Sequence, residues 1–178
     1  LVACTTSPAI TDYDPASHAA ALKSLSHWQV QGRAAIHGQN RSDNIGIVWT
    51  QNDLSSELVL SGPIGWGRYQ LRTDTGFSEL ELGDGFEDME PAQQQQIKQR
   101  IYALPLQELA LWLKGMCELC ENLQHDTQGR LLQFNQGSWQ VNYLEYQQVG
   151  TQQLPRKLSF SGNDSHGKLV LKKWQIED

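Results

Sequence analysis

The sequence is short of positive charge, of cysteine and of long apolar runs. Its 14 lysines and arginines are outnumbered by 20 aspartates and glutamates, giving a formal net charge of −6, which argues against nucleic acid as the main partner. No stretch approaches the roughly 20 consecutive apolar residues that a helix needs to span a bilayer. Apolar residues make up 39% of the chain, a modest share. Gln, Asn, Ser and Thr take much of the share that apolar residues usually have, as in β-rich secreted or periplasmic proteins.

Motifs of known catalytic and metal sites are also missing. The chain has no G-x-S-x-G of a hydrolase, no HExxH of a zinc protease and no glycine-rich phosphate loop before a helix. Cys117 and Cys120 form a CxxC, but a redox CxxC begins a helix, whereas this one follows a predicted helix end. His125 alone adds little toward a zinc site. We therefore predict no enzyme activity, no cofactor and no metal, and leave open whether the two cysteines form a disulfide.

The first four residues, Leu1-Val-Ala-Cys4, resemble a bacterial lipobox. We interpret residues 1–3 as the residual tail of a signal peptide, Cys4 as the lipidation site and residues 4–13 as the tether of the lipid anchor. Thr5 stands where lipoproteins retained in the inner membrane typically carry Asp, which points to the outer membrane. Acyl chains on Cys4 would provide the anchor, each buried methylene contributing about 0.8 kcal/mol.

The connection after Leu60 is unusual for a hairpin tip, because it carries large apolar side chains. Hairpin tips are usually polar, since they stand in water. Two interpretations are open: these side chains fold back and cap a β-structure, or they form an apolar finger that meets a membrane or a lipid chain. The residues of this predicted membrane-insertion loop are Gly62, Pro63, Ile64, Gly65 and Trp66.

The pattern of residues 14–82 predicts one helix followed by strands. Asp14 and Pro15 suit the N-cap and first position of a helix, which we expect to run to about Ser26. A strand should follow, then a polar turn over 38–44. Apolar residues then alternate with polar or small ones, which predicts antiparallel strands with one wet face.

The period becomes helical after Glu90, and a proline at 105 divides two short helices, the second ending at Gly115. The alternation of apolar and polar residues, which predicts strands, resumes at Leu131 and continues to Trp174. Strands, a helical insert and strands again, with no linker between them, predict a single domain over residues 14–178 of the α+β class.

Charge is unevenly distributed along the chain. Such asymmetry either steers a charged partner or reflects two solvated faces of one fold. The middle is acidic, with Glu79, Glu81, Asp84, Glu87, Asp88 and Glu90, and the end is basic, with Arg156, Lys157, Lys168, Lys172 and Lys173.

Motifs spread over nearly the whole chain resemble those of the outer-membrane lipoprotein receptor LolB family, and their order and spacing carry the resemblance. They are the lipobox, Trp28-x-x-x-Gly32-Arg33, Trp49, Gly62-Pro63-Ile64-Gly65, Leu104-Pro105-Leu106-x-x-Leu109-x-x-Trp112-Leu113-x-Gly115, Trp139-x-Val141-x-Tyr143, Leu154-Pro155-x-Lys157-Leu158, and Lys168-Leu169 leading to Trp174. The chain departs from the family where Ile64 replaces a more familiar leucine and where Cys117 and Cys120 follow Gly115.

The resemblance implies a mainly antiparallel, incomplete (half-open) β-barrel of about eleven strands, with a lid of short helices around an apolar cavity. It also implies a monomeric, lipid-anchored outer-membrane protein that faces the periplasm of a Gram-negative bacterium. Its expected partners are the periplasmic chaperone LolA, acylated lipoproteins and outer-membrane lipid. The implied activity is to accept lipoproteins from LolA and insert them into the outer membrane, without a cofactor.

The cavity expected to bind acyl chains takes its lining from both the strands and the helices. Two other functions stay open: a lipid or fatty-acid binder of the periplasm, which needs the cavity but not the apolar loop, and a structural outer-membrane lipoprotein, which needs neither. The predicted lining residues are Ile45, Ile47, Trp49, Leu58, Leu60, Leu80, Leu109, Trp112, Leu113, Trp139 and Val141.

Overall fold

A computed structural model describes residues 14–38, 41–62, 68–74, 77–82, 89–102 and 105–177. The predicted lipidation site, its tether and loop residues 63–66 lie outside the described residues. In chain order the elements are α1 (Pro15–Ser24), β1 (His27–Gly38), β2 (Arg41–Asn52), β3 (Ser55–Ser61), β4 (Arg68–Asp74), β5 (Phe77–Leu82), α2 (Pro91–Tyr102), α3 (Leu106–Lys114), β6 (Glu121–His125), β7 (Leu131–Gln136), β8 (Trp139–Val149), β9 (Gln152–Gly162) and β10 (Ser165–Ile176).

All the described strands belong to one sheet, in the order β5-β4-β3-β2-β1-β10-β9-β8-β7-β6. Every pairing is antiparallel, and the edge strands β5 and β6 do not pair with each other, so the sheet is not closed. This confirms the mainly antiparallel, open architecture with helices between two runs of strands. The described residues contain ten strands, fewer than the count of about eleven that the family resemblance implies.

Two boundaries and one additional strand differ from the sequence-based expectation. α1 ends at Ser24 because Leu25 is already extended. β2 begins at Arg41, which pairs with Gly38 of β1, so the turn between β1 and β2 is shorter than the expected turn over 38–44. The polarity of the residues at the start of β2 predicts a longer turn, but polar side chains are also common on the solvent-exposed face of a strand. β6 was not predicted, because its side chains are all exposed and do not alternate.

The core lies on one face of the sheet, and one part of it is a cluster of Trp28, Trp49 and Trp174, which come from three separate strands. Trp28 stacks on Trp49 of the neighbouring strand with ring centroids 6.3 Å apart, and it also packs against Trp174 at 5.4 Å. Trp28 and Trp49 are almost fully buried. Aromatic pairs at these distances stabilise a core beyond the area they bury, so this cluster fixes β1, β2 and β10 relative to one another.

The segment after α3 contains a disulfide between Cys117 and Cys120, which the sequence left undecided. Both cysteines pack against the core. Leu119, between them, has a positive φ of 55° and is 98% exposed. The disulfide therefore closes a tight loop that leads from the helical insert into β6.

Gly32 permits a close approach between β1 and β10. The register of the two strands shifts between Gln31 and Gly32, and a Cβ at position 32 would lie 2.4 Å from the carbonyl oxygen of Val170. Bulges of this kind bend a strand and increase its twist. Gly32 thus allows the central pair of strands to curve around the core.

Replacing Gly32 with Ala should destabilise the fold, because the backbone of β10 has to move away. We expect the free energy of unfolding to fall by about 2 kcal/mol, measured by urea denaturation. The matched control is Gly38→Ala on the same strand, where the nearest atom to an added Cβ is 3.7 Å away. Similar losses in the two variants would contradict this role for Gly32.

Candidate functional site

An apolar pocket lies between the sheet and α3. Its free volume is about 50 Å³, several times the 10–15 Å³ that one water-sized group occupies by the same measure. Every side chain of its wall is aliphatic or aromatic. The lining residues are Ala34, Ile36, Ile45, Ile47, Trp49, Leu58, Leu60, Pro105, Leu109, Trp112, Leu113, Trp139, Phe160 and Leu169.

The strand part of this wall follows from alternation and register. Residues two apart on one strand point to the same face, and the register places Ile45 opposite Ala34, and Ile47 opposite Leu60. Six neighbouring strands, from β3 through β1 and β10 to β8, contribute to one wall. The sheet must therefore curve around the pocket.

The pocket brings together most of the side chains predicted to line a cavity. All of that predicted set lie in its wall except Leu80, whose side chain is outside the described residues, and Val141. Val141 is completely buried in the core. It pairs with Phe134 on one side and, on the other, with Phe160, which is itself part of the pocket wall.

Five lining residues were missed: Ala34, Ile36, Pro105, Phe160 and Leu169. Signals for four of them were present, because each is an apolar position in a recognisable alternating strand. Pro105 was read only as a break between helices, although it immediately precedes α3 and reaches the pocket wall from there.

The C-terminal half of α3 is fixed to the sheet through Trp112. Its ring packs edge-on against Phe134 and Trp139, with centroid distances of 5.9 and 6.2 Å, and its Nε1 donates to Gln136 Oε1 at 2.8 Å. The Tyr143 hydroxyl donates to the Trp112 carbonyl at 2.9 Å. Burial raises the pKa of the Tyr143 hydroxyl well above its ordinary value, so this group stays protonated and remains a donor.

Lys114 ties the end of α3 to the end of α1. The side chain is buried, and its ammonium donates to the carbonyls of Leu22 and Leu25, both at 3.1 Å. Burial lowers the pKa of Lys114, while the Glu118 carboxylate acts in the opposite direction. A cation at a helix C-terminus satisfies carbonyls that have no partner within the helix. The sequence signal was a lysine in the last turn before Gly115, but its distant partners could not be inferred.

Gly115 ends α3 in the left-handed conformation expected of a C-cap glycine, with φ of 81°. Its amide donates to the Trp112 carbonyl, and the next amide, of Met116, donates to the Leu111 carbonyl, both at 3.0 Å. The predicted end of the second helix is therefore confirmed.

The predicted insertion loop can be located only through its two ends. β3 ends at Ser61 and β4 begins at Arg68, where the two residues pair, which confirms the hairpin. Gly62 is half-buried, and the apolar tip predicted at Pro63, Ile64, Gly65 and Trp66 lies outside the described residues.

The described part of the chain contains no group of three or more His, Cys, Asp or Glu side chains placed to hold a metal ion. None of its helices has the length and apolar character needed to cross a membrane.

Comparison with known proteins identifies similar sequences over most of the chain. A family model described as outer membrane lipoprotein LolB matches residues 26–174. The outer-membrane lipoprotein LolB of Chromohalobacter salexigens is 28% identical over 157 residues, covering 87% of this chain and 73% of the relative. That of Pseudomonas fluorescens is 30% identical over 157 residues, covering 86% and 77%. Among solved structures, a LolA superfamily protein from Nitrosomonas europaea aligns with a TM-score of 0.48 at 6% identity, covering 87% of this chain and 88% of that one.

Substitution of Lys114 by Met keeps most of the side-chain volume but removes the donor to both α1 carbonyls. We expect the free energy of unfolding to fall by about 1–3 kcal/mol, the cost of leaving buried acceptors without a partner. Urea denaturation measures the change, and hydrogen exchange of the α1 amides shows whether that helix loosens.

The control is Lys23→Met, an exposed lysine in the last turn of α1, which should change stability by less than about 0.5 kcal/mol. If Lys114→Met proves as stable as this control, the hydrogen bonds of Lys114 do no more than offset the cost of burying its charge.

Proposed function

This chain belongs to the LolB family of outer-membrane lipoproteins, and on that premise we propose that it takes lipoproteins from the periplasmic chaperone LolA and inserts them into the outer membrane. A role in lipoprotein localisation follows from the family. The transfer from LolA, the acyl-chain pocket and the insertion loop are our proposals for how this chain performs it. In this scheme the chain acts as a monomer, is anchored through acyl groups on Cys4, and needs neither a cofactor nor catalysis.

The observation that carries the proposal is the wholly apolar wall of the pocket. Each acyl methylene removed from water contributes about 0.8 kcal/mol. A carrier must therefore cover acyl chains during transfer and still release them to the bilayer, where their free energy is at least as low. A wall of aliphatic and aromatic side chains without polar anchors supplies this kind of binding, because it holds the chain by burial and imposes no fixed orientation.

The pocket must widen to receive a whole acyl chain, since its free volume of about 50 Å³ has room for only a few methylene-sized groups. We propose that α2 and α3 form a lid. Trp112 and Lys114 fix the C-terminal end of α3, whereas Pro105 and Leu109, nearer its start, contribute to the wall through apolar contact. Opening would then lift the start of α3 while its end stays attached.

Release of the cargo is assigned to the loop between β3 and β4. An isoleucine and a tryptophan among glycines suit insertion at a membrane interface, because the aliphatic side chain enters the acyl region and the indole stays at the headgroup level. We therefore propose that Ile64 and Trp66 enter the bilayer, with Gly62, Pro63 and Gly65 shaping the loop.

Ile64→Glu tests this division of roles, because a carboxylate at the tip opposes insertion while the pocket stays unchanged. We expect normal uptake of an acylated lipoprotein from LolA and at least about a tenfold loss of delivery to liposomes, since placing a charge in a bilayer costs about 2.5–3.5 kcal/mol. Both steps are measured by separating LolA, this protein and liposomes after incubation.

Ile64→Leu is the matched control and should deliver cargo as the unchanged chain does. If Ile64→Glu delivers normally, the loop has no part in insertion. If the unchanged chain takes no lipoprotein from LolA but binds a fluorescent fatty acid, the receptor proposal fails and the chain is a binder of small lipids.

Ala34→Ile tests the pocket separately, because Ala34 lines it and the larger side chain occupies space that about two methylenes of cargo would use. Binding of a fluorescent fatty acid should weaken by about tenfold, corresponding to about 1.6 kcal/mol of lost burial. Displacement titration measures the affinity.

The control is Ala35→Ile, the same substitution at the next residue, which is not part of the pocket wall and by alternation faces the other side of the sheet. Equal affinities for the two variants would place lipid binding elsewhere. Urea denaturation of both variants separates lost binding from lost stability.

A further inference from the structure

Four cations of β1 and β10 stand out on an otherwise acidic protein. Each is exposed to solvent, and none forms an ion pair with a described residue. They contrast with Arg156 and Lys157 of β9, which share the carboxylate of Glu145 at 3.7 and 3.4 Å. The four, which we call the basic face, are Arg33, Lys168, Lys172 and Lys173.

Strand register brings these cations together. Arg33 pairs with Val170, and Lys168 and Lys172 flank Val170 two residues away on either side along β10. Lys173 pairs with Gln31, one residue from the fully buried Val30. Diagonal neighbours on a sheet lie about 7–8 Å apart, so Lys168 and Lys172 are each within about one Debye length of Arg33 at physiological salt, although they lie about 13 Å from each other along β10. Their potentials therefore add.

The basic face lies on the side of the sheet opposite the pocket. Leu169 lines the pocket and Leu171 is completely buried, and Lys168 and Lys172 alternate with these two residues. Lys173 follows the register shift between β1 and β10, after which Trp174 is the residue that packs against the core. Since successive side chains of a strand point to opposite faces, the basic face points outward. It therefore lies apart from the pocket wall, and a ligand on it would not contact the bound acyl chain.

We propose that the basic face binds the anionic headgroups of the membrane to which this outer-membrane lipoprotein belongs. Charge complementarity requires an anionic occupant, because four cations gather here on a chain of net charge −6. Polybasic surfaces gain about 1 kcal/mol for each lysine or arginine near an anionic bilayer, without any fixed geometry.

The composition of the basic face favours a lipid surface over an acidic protein. Protein interfaces are enriched in aromatic and arginine anchors and depleted in lysine. Here three of the four cations are lysines, and their register partners are small or polar: Ala35 and Ser159 beside Lys168, and Gln31 beside Lys173. Lysine acts as a point charge on a flexible stem, which suits mobile headgroups.

The test is co-sedimentation of the unacylated chain with vesicles, either of phosphatidylcholine alone or containing about one third phosphatidylglycerol. We expect binding that requires phosphatidylglycerol and that is lost between about 0.1 M and about 1 M salt, over which the Debye length falls from about 10 to about 3 Å. Lys172→Gln should weaken binding about fivefold, and the triple substitution Lys168→Gln, Lys172→Gln, Lys173→Gln about a hundredfold.

Lys23→Gln is the matched control, because it changes the net charge by the same amount on an exposed residue of α1, and its binding should stay within about twofold of the unchanged chain. Three results would each overturn the proposal: equal binding to the two vesicle types, equal losses in Lys172→Gln and Lys23→Gln, or no binding to anionic vesicles together with charge-dependent binding to an acidic protein. Fatty-acid binding should be unchanged in the triple variant, so failure here is distinguishable from failure of the pocket.

Discussion

The pairing of β1 with β10 is the contact on which the rest of the structure depends. It joins the first described strand to the last, and so merges the five described strands before the helical insert and the five after it into one sheet. The strands before the helical insert contribute Ile47 and Leu60 to the pocket wall, and the strands after it contribute Trp139 and Phe160. Without the pairing of β1 with β10, these two groups of strands could not form one wall. The pocket therefore exists because two distant parts of the chain are hydrogen-bonded along their backbones.

The helical insert completes the pocket from the side that the sheet leaves uncovered. α3 presents Leu109, Trp112 and Leu113 to the strands, and its polar contacts concentrate at its end. There the Trp112 indole, the Trp112 carbonyl and the Lys114 ammonium all have partners on other elements. Among the described residues, the helix is thus attached through hydrogen bonds at one end, whereas Leu109, nearer its start, contributes apolar contact to the pocket wall.

Local patterns in the sequence predicted much of this. The alternation of Ile45, Ile47 and Trp49 and the helical spacing of Leu109, Trp112 and Leu113 selected side chains that the structure brings together around one pocket, because side-chain direction follows from the period of each element. What could not be predicted depends on distant contacts. The partners of Lys114 are about ninety residues away, and whether Val141 reaches the pocket wall or stays within the core depends on packing between elements. β6 has no apolar face to reveal it.

The two edges of the sheet share no hydrogen bonds within the described residues. In a closed barrel the strand number and stagger fix the circumference, so the interior cannot grow unless a strand pair separates. An open sheet has no such limit. Its curvature can relax through small changes of twist between each pair of strands, while every ladder stays intact. The circumference of this sheet is thus not fixed by its strand number, and the proposed transfer of cargo of different widths would not require any strand pair to separate.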